Sequence, residues 1–189
     1  YIVMELLEGS DFAALLRRDG ALPLAQAASY LVQACDAISE AHSRGIVHRD
    51  LKPSNLFLAR RRDGTALVKL LDFGISKPVG LAGEETLTTT EQTHLGTPAF
   101  MAPEQFLGRE VDLRADVWAL GLVLHHMLTA RHLFGKGRAP ALELGMGSVR
   151  PPLRAEHPEI PEAIEALLDA CLQVAPDKRL GSVEAFVTR

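Results

Sequence analysis

Apolar residues recur along this chain with two different periods, and the periods divide it into elements. Leu24, Ala28, Leu31, Cys35, Ile38 and His42 are spaced alternately by four and three, a single stripe that predicts a helix after Pro23 ended by Arg44-Gly45. Before it, residues 11–18 read as a shorter helix, with Ser10 placed to cap it and Asp19-Gly20 to stop it. Tyr1-Ile-Val-Met4 is apolar and largely β-favouring and predicts a short buried strand that runs into a polar break at Glu8-Gly9-Ser10. Past the long helix, residues 56–58 and 67–71 read as extended pieces joined through Arg60-Arg61-Arg62-Asp63-Gly64, a hairpin with a solvated charged tip.

Residues 77–93 are rich in Thr, Gly and Glu and have almost no period, as a long surface loop carrying function would. The run Ala115-Asp-Val-Trp-Ala-Leu-Gly-Leu-Val-Leu-His-His-Met-Leu128 is apolar on nearly every face and predicts a helix buried at the centre of a helical domain. Residues 135–152 are loop-rich with at most a short helix, 161–173 form an amphipathic helix entered through proline, and Ser182 opens a last helix. The expected fold is mainly α with a small β hairpin.

Composition narrows the chemistry. The 189 residues are 47% hydrophobic and 23% charged with a formal net charge of −4, the make-up of an ordinary globular chain without a polybasic face for nucleic acid or anionic membrane. No apolar run reaches the roughly 20 residues of a membrane span, and the start has no basic segment or cleavage pattern of a signal peptide. Cys35 and Cys171 lie far apart without C-x-x-C spacing and read as buried free thiols. The seven histidines include an adjacent pair, His125-His126, but no metal-ligand spacing, which argues against a metalloenzyme.

The segment Ile46-Val-His-Arg-Asp-Leu-Lys-Pro-Ser-Asn-Leu56 concentrates polar groups in a loop between a helix and a strand. A carboxylate, an ammonium and a carboxamide converging there would suit phosphoryl transfer: Asp50 to accept a hydroxyl proton, Lys52 to neutralise a moving phosphoryl group, Asn55 to give Mg²⁺ an oxygen. Taken alone, a polar loop with a satisfied Asp/Lys pair fits equally well. Two further motifs separate these readings: Leu71-Asp72-Phe73-Gly74, a carboxylate at a strand end before a glycine, and Gly96-Thr97-Pro98-Ala99-Phe100-Met101-Ala102-Pro103-Glu104, which closes the Thr-rich loop.

With these three motifs in this order, the chain resembles the carboxy-terminal lobe of a protein serine/threonine kinase of bacterial type, over essentially its whole length. The resemblance implies a protein-kinase-like C-lobe of α+β type over 1–189, with a hinge over 1–9, a catalytic loop over 46–58 and an activation segment over 72–104. It makes Asp50 the catalytic aspartate, Asn55 and Asp72 the metal ligands, and Lys52 and Thr97 marks of Ser/Thr specificity. His48 is then a scaffolding ring in line with Phe73 and Gly74, and Arg49 a receptor for a phosphate on Thr93, with Thr89 and Thr90 behind it. Glu104 is expected to pair with Arg179, and Asp116 to hold the catalytic loop through its backbone.

By the same resemblance the backbone of Glu5 and Leu7 meets the adenine edge, Met4 is the gatekeeper, Asp11 reaches the ribose and Phe57 lies under the adenine ring. The implied cofactors are ATP and Mg²⁺, with Mn²⁺ as substitute, and the implied partner is a protein substrate. A cytoplasmic location follows, with membrane tethering left to a segment outside this chain. A glycine-rich phosphate loop, a β3 lysine and its glutamate partner are not found; Gly145-Met-Gly147 follows no strand and lacks the third glycine. The expectation is therefore a kinase C-lobe whose N-lobe belongs to a longer polypeptide, with little or no transfer by this chain alone. Competing readings are a binding module docking through residues 135–152, and a small-molecule phosphotransferase, against which Lys52 and the 96–104 run argue.

Overall fold

The computed structural model describes residues 5–61, 63–72 and 99–189. The expected strand at residues 1–4, with Met4, and the expected loop at 77–93 lie outside them.

Three antiparallel strands, β1 (Gly9–Asp11), β2 (Leu56–Arg60) and β3 (Ala66–Leu70), pair in that order. The hairpin read from the sequence is β2–β3, with Leu58 opposite Val68. The third strand corrects the reading of Glu8-Gly9-Ser10 as a break, and it straddles the 9/10 boundary assigned to the hinge. Ladder pairing needs backbone groups rather than apolar side chains: the Arg60 amide donates to the Glu8 carbonyl at 2.8 Å. Gly9 stands at φ 148°, and a Cβ there would lie 2.0 Å from the Leu58 carbonyl oxygen, so only glycine permits this approach.

Helix α1 (Phe12–Asp19) is capped by Asp11, whose Oδ1 accepts from the Ala14 amide at 2.8 Å, and not by Ser10, whose hydroxyl donates to the Asp11 carbonyl instead. Helix α2 (Leu24–Ser43) ends at Arg44 as expected, but its buried face is Ala27, Leu31, Ala34, Cys35, Ile38 and Ala41. Ala28 is exposed. The buried band is wider than one stripe because α2 packs on β3 and also on two helices that follow, α4 (Arg114–Thr129) and α8 (Val183–Thr188).

Helix α4 is the centre. Val117, Trp118, Leu120, Val123 and Met127 are wholly buried, and a Cβ on Gly121 would lie 2.7 Å from the Cys171 Cβ, the measure of how closely α7 (Glu162–Cys171) lies against it. Cys35 and Cys171 are buried free thiols, and burial pushes both up to about 12, so neither is a thiolate at neutral pH. Helices α3 (Pro103–Phe106), α5 (Pro140–Gly145) and α6 (Leu153–Glu156) complete the described helices; α3 and α6 are too short to show a period in the sequence.

One buried ion pair ties this assembly together. Arg179 donates to Glu104 at 2.7 and 2.9 Å, to the carbonyls of Gln173 and Arg114, and lies 5.1 Å over the Trp118 ring. Both side chains are almost fully buried. Leaving either charge unpaired there costs about 3–5 kcal/mol, whereas replacing both by apolar groups is close to neutral. Arg179→Met should therefore lower the melting temperature by roughly 10 °C or more, and Glu104→Leu/Arg179→Met should recover much of the loss. Equal melting temperatures for wild type and Arg179→Met would contradict this account.

Burial also lowers the pKa of His48, His126 and His125, the last to about 4. An unfolded histidine takes up its proton near 6.5 while folded His125 stays neutral, so the unfolded state gains as pH falls between these values. Stability should be flat above about pH 6.5 and fall between there and about pH 4, and His125→Leu should shallow that slope in thermal melts taken across the range.

Candidate active site

The polar loop leaves α2, crosses residues 46–52 and closes through a 3-10 turn, Pro53–Asn55, into β2. Its shape is set from below by Asp116, a carboxylate only 1% exposed in the first turn of α4. Oδ2 accepts from the His48 amide at 2.9 Å and His42 Nε2 at 2.7 Å, while Oδ1 accepts from the Arg49 amide at 2.9 Å. Arg49 has φ 65°, a left-handed conformation that costs a non-glycine residue about 1 kcal/mol or more. The bond from its amide to Asp116 and the one its carbonyl accepts from Gln105 Nε2, at 2.7 Å, hold that conformation from both sides.

His48 is fully buried, and its ring spans the loop. Nδ1 accepts from the Asp50 amide at 3.2 Å and Nε2 donates to the Leu71 carbonyl at 3.0 Å, which requires the neutral Nε2–H ring. Burial, by pulling its pKa down, favours that neutral form. The ring thus ties the loop to the end of β3.

Asp50 is brought against both other polar groups of the loop. Lys52 Nζ donates to its Oδ2 at 2.8 Å; Asn55 Nδ2 donates to its carbonyl at 2.8 Å and to Oδ2 at 3.3 Å. Asn55 is buried, and its own carbonyl accepts from the Leu71 amide at 2.8 Å, so Asp72, exposed at φ 50°, follows directly on a bond to Asn55. With the Asn55 amide nitrogen engaged on Asp50, its side-chain oxygen and the exposed Asp72 carboxylate are the two oxygens of this pair free of that bond. Among the described residues no group of three or more His, Cys, Asp or Glu could hold a metal by itself. Two side-chain oxygens suit Mg²⁺, which is usually bound by one or two protein oxygens together with phosphates and water.

Phe57 and Asp11 face each other across β1–β2. Glu5 is ion-paired with Lys69 of β3, and with Leu7 lines a cleft of about 710 Å³. Arg49 is exposed. Glu104 and Arg179 form the buried pair described above, away from the loop. Phe73, Gly74, Thr89, Thr90, Thr93 and Thr97 lie outside the described residues.

Two contributors were not anticipated. His42 closes the apolar stripe in the sequence, and the structure sets its ring on the buried acid Asp116. Gln105 gave no signal; its side chain both closes the start of α3, accepting from the Ala102 amide, and holds Arg49.

No helix among the described residues is long and apolar enough to cross a membrane. The protein kinase domain family matches residues 1–188. Serine/threonine-protein kinase Pkn1 of Myxococcus xanthus is 43% identical over 98% of this chain, and Tyrosine-protein kinase MasK of the same species is 36% identical over 98%. The chain spans 26% and 30% of the lengths of these two relatives. Among solved structures, the kinase domain of Mycobacterium tuberculosis PknI superposes with a TM-score of 0.72 at 26% identity, covering 98% of this chain and 62% of that one. A helical body around α4, a sheet edge carrying Asp72 and a loop closed on Asp116 thus agree with the sequence matches, and the chain belongs to the protein kinase domain family.

Proposed function

We propose that this chain supplies the base, the metal oxygens and the substrate platform of an ATP-dependent serine/threonine protein kinase. The observation that carries the reading is the convergence of Asp50, Lys52 and Asn55 within hydrogen-bond distance, with Asp72 one residue past a backbone bond to Asn55. In this reading the Asp50 carboxylate takes the proton of a substrate hydroxyl as its oxygen bonds to the γ-phosphorus. The bond from that phosphorus to the bridging oxygen breaks, and ADP leaves with the electron pair. Lys52 orients Asp50 through its short bond and turns its remaining ammonium hydrogens to the transferred phosphoryl group. Asn55 and Asp72 would hold Mg²⁺, which when bound neutralises charge on the phosphates.

In this reading the backbone of Glu5 and Leu7 meets the adenine edge, Phe57 lies under the adenine ring, and Asp11, opposite Phe57 across β1–β2, reaches the ribose. Thr93, with Thr89 and Thr90 behind it, is the proposed phosphorylation site, whose phosphate Arg49 would receive, and Thr97 the proposed substrate-positioning hydroxyl. The glycine-rich loop and lysine that clamp ATP are not among this chain's motifs, so full turnover is assigned to the polypeptide that carries them with it. The serine/threonine assignment rests on Lys52, a point charge two residues past the base, and on the names of relatives such as Pkn1.

Two outcomes check this. In the whole polypeptide containing this chain, Asp50→Asn should lower phosphate transfer from labelled ATP about 100-fold or more, with the wild-type label recovered as phosphoserine or phosphothreonine; undiminished transfer, or label on tyrosine alone, overturns the reading. Asp72→Asn should raise several-fold the Mg²⁺ concentration needed for nucleotide binding in calorimetric titrations, while binding without Mg²⁺ stays as it was.

A further inference from the structure

A second cleft, of about 770 Å³, opens beside the polar loop, with Lys52, Pro53 and Ser54 at its inner end. Its far walls come from the last turn of α1, the end of α4 and the loop before α5. The described residues that line it include four cations, Arg17, Lys52, Arg131 and Lys136, and no carboxylate. This runs against the chain as a whole, which carries a net charge of −4. Arg131 is paired with Glu156 at 2.9 Å and Lys52 with Asp50 at 2.8 Å. Arg17 and Lys136 are exposed and make no ion pair among the described residues.

The floor between these cations is aromatic. Phe100, His126 and His132 pack edge-on and tilted against one another with ring centroids 4.8 to 5.9 Å apart, a surface that a peptide backbone can lie on without ordering new groups. Lys136 is close enough to His132 for its ammonium to help burial push that ring toward the neutral form. At neutral pH the cleft's charge therefore comes from the lysines and arginines.

We infer that this cleft selects the protein substrate, receiving acidic side chains of the segment next to the acceptor hydroxyl on Arg17 and Lys136. The inference rests on the kinase reading above, since Lys52 joins the inner end of the cleft to Asp50. A cleft of this size accommodates on the order of three extended residues, so the acidic positions lie within a few residues of the acceptor. A basic substrate segment would meet unpaired like charges here, and a neutral one would gain only the aromatic floor.

The test uses a fluorescein-labelled peptide with glutamates flanking a single serine, its glutamine counterpart and its lysine counterpart, titrated with the protein at low salt and read by anisotropy. The glutamate peptide should bind about tenfold more tightly than the glutamine peptide, with the lysine peptide weakest, and the difference should shrink at physiological salt. Arg17→Glu/Lys136→Glu, both at exposed positions, should abolish or invert the order with the melting temperature unchanged. Equal binding of the glutamate and glutamine peptides, or an acidic preference that survives the double reversal, overturns the inference. Phosphate transfer to the same peptides separates it from the reading it rests on. Asp50-dependent transfer without acidic preference sinks only the inference, and acid-selective binding with no Asp50-dependent transfer sinks the kinase reading and the substrate assignment with it.

Discussion

The carboxylate of Asp116 is the constraint from which the site takes its shape. It stands in the first turn of the most deeply buried helix, where the helix dipole favours a negative charge, and its oxygens accept from two consecutive backbone amides of the loop and from the His42 ring. A buried charge with those bonds cannot shift without leaving donors unpaired, and its partners lie more than sixty residues away in sequence, on α2 and the polar loop. The loop carrying Asp50 thereby inherits the rigidity of the core, although Asp50 itself is only half-buried. Conversely, the core tolerates an ionised group at its centre because the loop supplies donors to it.

Backbone strain follows the same geography. The three non-glycine residues with positive φ among the described residues are Arg49, Asp72 and Ala130. The first two flank the polar loop, and Ala130, at the end of α4, lines the cationic cleft. Arg49 is held by bonds on both of its peptide flanks, and the Ala130 amide by the His126 carbonyl at 2.8 Å. Such conformations persist only where surrounding contacts outweigh their cost, and at Arg49 those contacts come from α3 and α4, far away in sequence. The elements that form the core also aim the loops at its edge.

The long periodic elements were legible because their neighbours act on them uniformly: α2, α4 and the β2–β3 hairpin each bury a continuous face. What could not be read depended on contacts between distant residues. Gly9 looked like punctuation because glycine and its polar neighbours usually mark turns, and only the approach of Leu58 makes it a strand residue. The α2 stripe was drawn too narrow because a pattern cannot show that a helix is covered from two sides. Of the site, the sequence displayed the side-chain types and their order, since loops gather polar groups with no apolar period to hide them. It did not display His42, because one ring in an apolar stripe carries little signal by itself, nor Gln105, whose role exists only through the fold.

Charge is sorted more finely than the overall balance suggests. At one end of the polar loop the described donors are oxygens, from Asp50, Asn55 and Asp72, suited to a proton and a cation. Past Lys52 the surface changes sign and carries arginines and lysines around tilted aromatic rings. Setting Lys52 between the two zones, bonded to Asp50 on one side and lining the cationic cleft on the other, lets a single ammonium screen each from the other. The spacing of Asp50 and Lys52 therefore fixes where the surface changes sign.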